Sequence, residues 1–548
     1  MSVVYDEYML RKVAKYLPRY YAPLALLVLG LSLVWRLRGL DQPASYIFDE
    51  DMHAYTAGLM AQNDPRAYEW RHPPFAGEFE QNPSLFYRPP AVEWLHPPLA
   101  KLFQATSIRL LGNTAFAWRL PSALAGVGVV WLVVLITLDI TSSWQTSKPM
   151  LTKKTLGRLK SQQTTAVTMA SAKQIYHLGH PQNSPGLFGA NYILSLMAGL
   201  VAGFEPLLLV QSRLASADIF VTFFGLLTVW LYIKYFIFTP PQLNRQKTNW
   251  WPILLTGMSL GLTIASKWSG AFLILGLVGF EIVSQINIKP QLHDGCWLAQ
   301  LPVWWLSRLL SRTNRVNQIA PPFHHMINLQ GRLWRLVLIC LVAGLVYLLS
   351  YSQMFLQGKG LNHLFELHHQ SYWYQTHTTF THPSQSRPWQ WLVGQKPVWY
   401  YYQLENANHQ PANTGQIKQI VAQPWAWLTI LGFSSIICLN WQIFIQSKQN
   451  KNKFDFFLIP HQLTVGLPIK KLESRVCSGI NTFYFSPLQT KMILFLIWIT
   501  LSLYLPWFFI SRALFIYQLT PIMPYFIILT SVSIFCFIKS GKIDLTLK

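Results

Sequence analysis

The chain has 548 residues, of which 51% are hydrophobic and only 12% charged, with 23 Trp and 33 Phe. A water-exposed surface needs more charge than this, which excludes a string of soluble domains. Repeated apolar runs of about 17–25 residues, long enough to cross ~30 Å of hydrocarbon, predict an all-α polytopic membrane protein instead.

The net charge of +23, from 44 basic against 21 acidic residues, does not point to nucleic acid, because no basic module interleaved with aromatics is present. The basic residues collect in alternate loops, the positive-inside asymmetry that orients a membrane chain. In chain order, residues 1–20 are basic and lack a cleavable-signal pattern, so the first apolar run, 21–37, is expected to stay as an anchor with a cytoplasmic N-terminus. Further spans are expected at 120–140, 190–210, 217–237, 251–266, 271–286, 333–355, 426–445, 492–510 and 515–538, ten in all. They divide the chain into an N-terminal region (21–286), a cytoplasmic loop (287–330) and a C-terminal region (331–548). The basic inner loops lie near 141–188, 287–330 and 446–490, the first reading as a flexible Ser/Thr/Gln-rich insert. Cys340, Cys438 and Cys536 fall in spans and Cys296 and Cys477 in inner loops, so no disulfide is expected.

Two outer loops are large. The first, 41–118, opens on IFDEDMHAY, which sets Asp49, Glu50 and Asp51 side by side. Short interfacial helices are expected over 53–63 and 98–111. Capping the first of them explains one carboxylate well, but not three. Later in this loop VEWLHPPLAKL supplies Glu93, His96 and Lys101, and Pro97–Pro98 suits a turn that starts a helix. The second loop, 357–423, holds His363, His368, His369, His377, His382 and His409, whose spacings match no standard zinc site.

Arg119, Arg213, Asp218, Lys267 and Arg512 all fall at outer ends of spans, where the positive-inside rule disfavours cations. Each singly reads as an interfacial anchor. Together they fit something anionic on the outer surface, such as a lipid phosphate. A sugar on a polyprenyl phosphate needs cations for its departing charge and a carboxylate to take the proton of an incoming hydroxyl. Asp218 is expected to pair with Arg213.

The segments IFDE, LHPPLAKL, AWRLPSALAG, LLLVQSRLASADIF, ASKWSG, HPSQSRPWQW, PVWYYY and SRALFIYQLTPIMPY occur in that order between residues 47 and 525. In them the chain resembles the protein O-mannosyltransferases, polyprenyl- or dolichyl-phosphate-mannose-dependent enzymes of the GT-C membrane fold. The resemblance implies that Asp49 is the catalytic base and that Glu50 supports binding. His96 and Lys101 match the loop motif, and Arg119, Arg213, Lys267 and Arg512 surround the donor. Arg387, in SRPWQW, lies over the site. It further implies a Ser/Thr-containing protein acceptor and pairing into a dimer or association with the translocon; the apolar spans imply membrane-lipid contact, and since no metal motif is present and Arg and Lys can stabilise the phosphate, a metal-independent reaction without a cofactor is expected. The second loop is too short for the β-trefoil domain of eukaryotic members, so a bacterial-type enzyme of the plasma membrane, active on its outer face, is expected. Such enzymes usually have eleven spans and an outer C-terminus, against ten spans and a basic tail here; residues 77–93 and Asp51 also depart from the pattern. The competing readings are a polyprenyl-phosphate-sugar transferase acting on a lipid or cell-wall glycan, and a transporter of lipid-linked sugars. Internal symmetry, which a transporter would show, is not seen in the sequence.

Overall fold

A computed structural model of the chain describes residues 2–70, 91–143, 189–238, 250–284, 323–377, 381–402, 419–449 and 485–539. The 141–188 insert, apart from Thr141–Ser143, and most of the other two inner loops lie outside the described residues, as do His409, Cys296 and Cys477 and residues 77–90 of the unusual segment.

The helices are α1 (Ser2–Leu37), α2 (Glu50–Ala61), α3 (Leu99–Leu111), α4 (Ala115–Ser142), α5 (Ala190–Phe204), α6 (Asp218–Tyr232) and α7 (Trp251–Ser266). They continue as α8 (Phe272–Val283), α9 (Phe323–Leu349), α10 (Leu361–His377), α11 (Ala426–Gln449), α12 (Pro487–Tyr504) and α13 (Met523–Lys539). Among the described residues, six helical segments are long and apolar enough to cross a membrane, at Pro18–Leu37, Ala115–Ser142, Asp218–Ile237, Gly331–Leu349, Ala426–Gln446 and Pro487–Phe509. Four shorter apolar helices, Ala190–Phe204, Trp251–Ser266, Trp268–Val283 and Met523–Lys539, occupy the remaining expected spans. The all-helical, multi-pass class therefore stands. A strand pair in the second large loop is a small exception: β1 (Val398–Tyr402) runs antiparallel to β2 (Gln419–Ala422).

Proline and local capping account for the shifted boundaries. The expected span 190–210 stops at Phe204, because Pro206 cannot continue α5; it begins a separate turn, Pro206–Gln211, whose Leu208 N–H is capped by Glu205. In 515–538 the helix starts only at Met523, after a 3₁₀ turn at Ile516–Leu519 and Pro521. The interfacial helices fall close to expectation, with α3 from Leu99 and α2 from Glu50, three residues early.

Helices α7 and α9 approach at backbone distance. Gly257 and Gly261 form a small-xxx-small stripe, the arrangement that lets membrane helices touch closely. A Cβ on Gly257 would lie 2.8 Å from the Ile339 carbonyl oxygen, and one on Gly261 only 2.7 Å from that of Ala343. At one end of the bundle the Tyr232 hydroxyl and Arg332 both donate to the buried Glu281. At the other end, the C-termini of α1, α7 and α9 meet the N-termini of α4 and α6, together with α2 and the large loops. That end gathers the charges singled out from sequence.

Candidate active site

The three adjacent acids of IFDEDM have three different surroundings. Phe48 has a left-handed backbone, φ 50°, unusual for a bulky residue. Its ring packs on Tyr400 at 4.2 Å and meets Tyr517 edge-on at 6.0 Å, contacts that hold the strained turn. Asp49 follows as the N-cap of α2, yet its carboxylate makes no capping hydrogen bond, so helix capping does not account for this residue. It is half-buried. Asp51 is buried, 1% exposed.

Glu50 is tied on both oxygens. Arg119 donates to them from Nε at 2.8 Å and Nη2 at 2.7 Å, Ala215 N–H donates at 2.9 Å and Ile47 N–H at 3.2 Å. The other Arg119 donors go to the carbonyls of Leu40, Pro43 and Ser45 at 2.9–3.2 Å. All five guanidinium N–H groups are thereby engaged by protein. The Glu50–Arg119 pair pins the first loop to α4 and to the turn before α6, and explains how two charges can be almost fully buried there.

Asp218 pairs with Lys267 and not, as the sequence suggested, with Arg213. Lys267 Nζ donates to both carboxylate oxygens, at 2.9 and 3.1 Å, and lies 5.6 Å from the Tyr517 ring centre. The reason is geometric: α7 ends where α6 begins. Arg213 instead donates to the carbonyls of Trp35, Arg36, Arg38 and Gly39 at 2.7–3.1 Å, capping the C-terminal turn of α1. Arg119 and Arg213 also line a cavity of about 190 Å³ with Ile47, Leu214 and Ile420.

Arg512 has another character. Among the described residues its guanidinium has no hydrogen-bond partner; burial lowers its pKa, while Tyr517, Tyr374 and Asp218 nearby favour the cation. Burial pushes the Tyr517 phenol well above its ordinary pKa, and the Asp49 and Asp218 carboxylates add to this. Tyr400 is raised likewise by burial, then by Tyr517, Asp218 and Asp49, and its hydroxyl accepts from Gln211 at 2.5 Å. Asp49, Asp218, Lys267, Arg512, Tyr400 and Tyr517 therefore share one electrostatic environment.

Two supports adjoin this group. Trp268, next to Lys267, donates from Nε1 to the Tyr347 hydroxyl at 2.9 Å, and Tyr347 contacts His368 Nε2 at 2.6 Å. His368 Nδ1 faces the Leu364 carbonyl at 2.7 Å, so the proton belongs on Nδ1 and Nε2 accepts from tyrosine. This chain links α7, α9 and α10. The second support is VEWLHPPLAKL. Lys101 Nζ donates to the Glu93 carboxylate, to the Glu93 carbonyl at 2.6 Å and to the His96 carbonyl at 2.9 Å. Glu93 also accepts from His96 N–H at 3.0 Å, and its own N–H donates to Thr56 at 2.7 Å. Lys101 thus closes the Pro97–Pro98 turn onto α2. Burial alone would raise the Glu93 pKa, but Lys101, His96 and His53 hold it at about 2. Burial pushes His53 down to about 4 and His96 well below its usual value, keeping both imidazoles neutral. Among the described residues, His53, Glu93 and His96 could together hold a metal ion.

Arg387 is exposed at the start of the Pro388–Trp391 turn. The turn itself is fixed by Tyr504 donating to the Pro388 carbonyl at 2.7 Å and by buried Trp391 donating to Ser386 at 2.9 Å. Phe48, His53, Tyr400 and Tyr517 were not singled out from sequence, although Phe48, Tyr400 and Tyr517 each lie inside a segment that carried the resemblance and His53 lies three residues beyond one.

Comparison with known proteins adds the following. Residues 187–311 match the family described as dolichyl-phosphate-mannose-protein mannosyltransferase, a stretch that contains Arg213, Asp218 and Lys267. The match agrees with the resemblance drawn from sequence. No curated protein matches. Among solved structures, the Saccharomyces cerevisiae protein O-mannosyltransferase Pmt1-Pmt2 complex bound to the sugar donor is similar at 18% identity and TM-score 0.34, over 67% of this chain and 36% of that one. ArnT from Cupriavidus metallidurans bound to undecaprenyl phosphate is similar at 12% identity and TM-score 0.39, over 94% of this chain and 59% of that one. The chain spans less than two thirds of the length of either.

Proposed function

We propose that the protein is an inverting glycosyltransferase that moves mannose from a polyprenyl-phosphate-mannose donor to Ser or Thr hydroxyls of secreted or membrane proteins. The reading rests on one observation above the others. A half-buried carboxylate that does not cap its helix, Asp49, shares its surroundings with the Lys267–Asp218 pair and with Arg512, at one end of a membrane-spanning bundle.

In this reading Asp49 takes the proton of the acceptor hydroxyl as its oxygen attacks the anomeric carbon. The bond from that carbon to the phosphate oxygen breaks, and the electron pair leaves with the polyprenyl phosphate. One displacement inverts the configuration. The phosphate gains a negative charge, which Lys267 and Arg512 stabilise; no general acid is needed for so good a leaving group. Asp218 orients Lys267 through its two hydrogen bonds. Glu50 and Arg119, engaged with each other, hold the turn that presents Asp49. Arg213 does the same for the end of α1, while His96 and Lys101 shape the floor beneath α2. Arg387 is placed to meet the acceptor from the solvent side. A bacterial plasma membrane with the site on its outer face is the setting this reading requires.

The test is sugar transfer in membranes from radiolabelled polyprenyl-phosphate mannose to a Ser/Thr-rich peptide. Wild type should label the peptide, and Asp49→Asn should lose at least ~100-fold of the rate. Its unfolding free energy should fall by no more than about 1 kcal/mol, the ordinary effect of a point substitution, far less than the loss of rate. Equal transfer by both proteins would sink the role of Asp49. Donor consumption without peptide label would move the acceptor to a lipid or glycan.

A further inference from the structure

We propose that His53, Glu93 and His96 form a binding site for one divalent transition-metal ion of the zinc class. One ligand atom from each residue lies within 4.8 Å of the others, and the two imidazoles face each other nearly in parallel, with centres 5.9 Å apart and planes inclined by 22°. Two histidines and a carboxylate are a standard zinc donor set, with bonds of ~2.0–2.2 Å. Ligand atoms around a tetrahedral ion with such bonds lie about 3.3–3.6 Å apart, so these atoms must draw together by up to roughly 1.5 Å, within reach of side-chain rotation, to close the site.

A second observation points to a ligand. His53 is 6% exposed, and its Nδ1 is buried without a hydrogen-bond partner. A buried imidazole nitrogen is ordinarily satisfied, and leaving one orphaned costs about 1–3 kcal/mol. Metal binding elsewhere on the ring would not cure this, but ligation through Nδ1 would. Among the described residues each Glu93 oxygen accepts one side-chain or backbone N–H, from His96 and from Lys101, and a carboxylate oxygen has a second lone pair to offer.

Lys101 selects the class of metal. Its ammonium already balances the Glu93 charge, so a hard ion that depends on anionic oxygen gains little at this site. Affinity must come from the two imidazoles, which suit Zn²⁺, Co²⁺, Ni²⁺ or Cu²⁺ rather than Mg²⁺ or Ca²⁺. The ion would join α2 to the turn before α3. Asp49 stands four residues before His53, one helical turn along α2, so the same ion would set the pitch of the helix that carries it. This site departs from the metal-independent expectation of the sequence, which weighed the six histidines of the second loop and not His53. It stands independently of the proposed transfer reaction.

The experiment uses the full chain in detergent, purified through a histidine-free tag, stripped with a chelator, equilibrated with Zn²⁺ and counted by elemental mass spectrometry. About one zinc per wild-type chain is expected, with a loss of at least roughly tenfold in His53→Gln and in His96→Gln. With Co²⁺ in place of Zn²⁺, wild type should show the visible absorption of histidine-ligated cobalt. Zinc should raise its melting temperature and leave those of the variants unchanged. A wild type that holds no zinc and shows no cobalt band overturns the site. So do folded variants that retain the full stoichiometry. If a variant fails to fold, the wild-type cobalt spectrum and zinc count decide alone.

Discussion

Arg119→Met separates a framework role for this residue from a role in holding the donor. The guanidinium is 1% exposed and the Glu50 carboxylate 2%. Truncation removes two charge-assisted bonds to Glu50, at 2.8 and 2.7 Å, and strips donors from three carbonyls. Breaking one side of a buried ion pair costs about 3–5 kcal/mol, because the other charge is left uncompensated. The carbonyls, each worth about 0.5–1.5 kcal/mol, place the expected loss at the upper end of that range. Thermal and denaturant unfolding of the purified protein in detergent would read it directly. Replacing Glu50 as well, in Arg119→Met/Glu50→Met, should recover a substantial part, since an apolar pair of similar volume is often tolerated where a lone charge is not. A variant as stable as wild type that had lost donor binding would refute the reasoning and return Arg119 to the phosphate site.

Arg213→Ala should cost about 1–3 kcal/mol through the uncapped end of α1 and leave the KM for donor unchanged; a raised KM at full stability would reverse that assignment. Raised phenol pKa values at Tyr400 and Tyr517 mean that the folded protein keeps protons the unfolded chain releases above about pH 10. Stability should therefore be intact below pH 10 and fall as pH rises beyond it, and Tyr400→Phe/Tyr517→Phe should flatten the slope measured by melting temperature. Gly261→Leu forces a Cβ to 2.7 Å from the Ala343 carbonyl oxygen and should destabilise by roughly 1–3 kcal/mol as overpacking does, with α7 and α9 moved apart in a distance measurement between spin labels. An unchanged separation would show that the contact yields.

The spans were legible because lipid imposes a crude requirement, a length of apolar helix, that composition alone reports. Asp49, Lys267 and Arg512 were legible for the related reason that charge at the end of an apolar run is costly unless it serves something. Partners were not legible. Glu50 and Arg119 are 69 positions apart and Asp218 and Lys267 are 49 apart, separations no local periodicity encodes. The nearer arginine therefore looked like the mate of Asp218, although its donors are spent on carbonyls. Tyr400 and Tyr517 escaped notice because a tyrosine in a chain with 24 of them carries no signal until its neighbours are known. His53 sat inside the opening motif and was passed over for the acids beside it.

The short helices make bilayer thickness a variable of this protein. At 1.5 Å per residue, α7 with its 16 residues is about 24 Å long, α5 with 15 about 22 Å, and α13 with 17 about 25 Å. A typical hydrocarbon core is ~30 Å. Beside α7, whose Trp251, Leu254, Leu255 and Met258 face outward, the lipid must thin, or the helix ends must sink below the headgroups, and Lys267 rides on one such end. A lipid phosphate that reaches it stands deeper than its neighbours, in a dent whose depth the surrounding membrane sets. Each ångström of mismatch costs a fraction of a kcal/mol, so thicker bilayers should disfavour the descent of the lipid before they touch any step of chemistry.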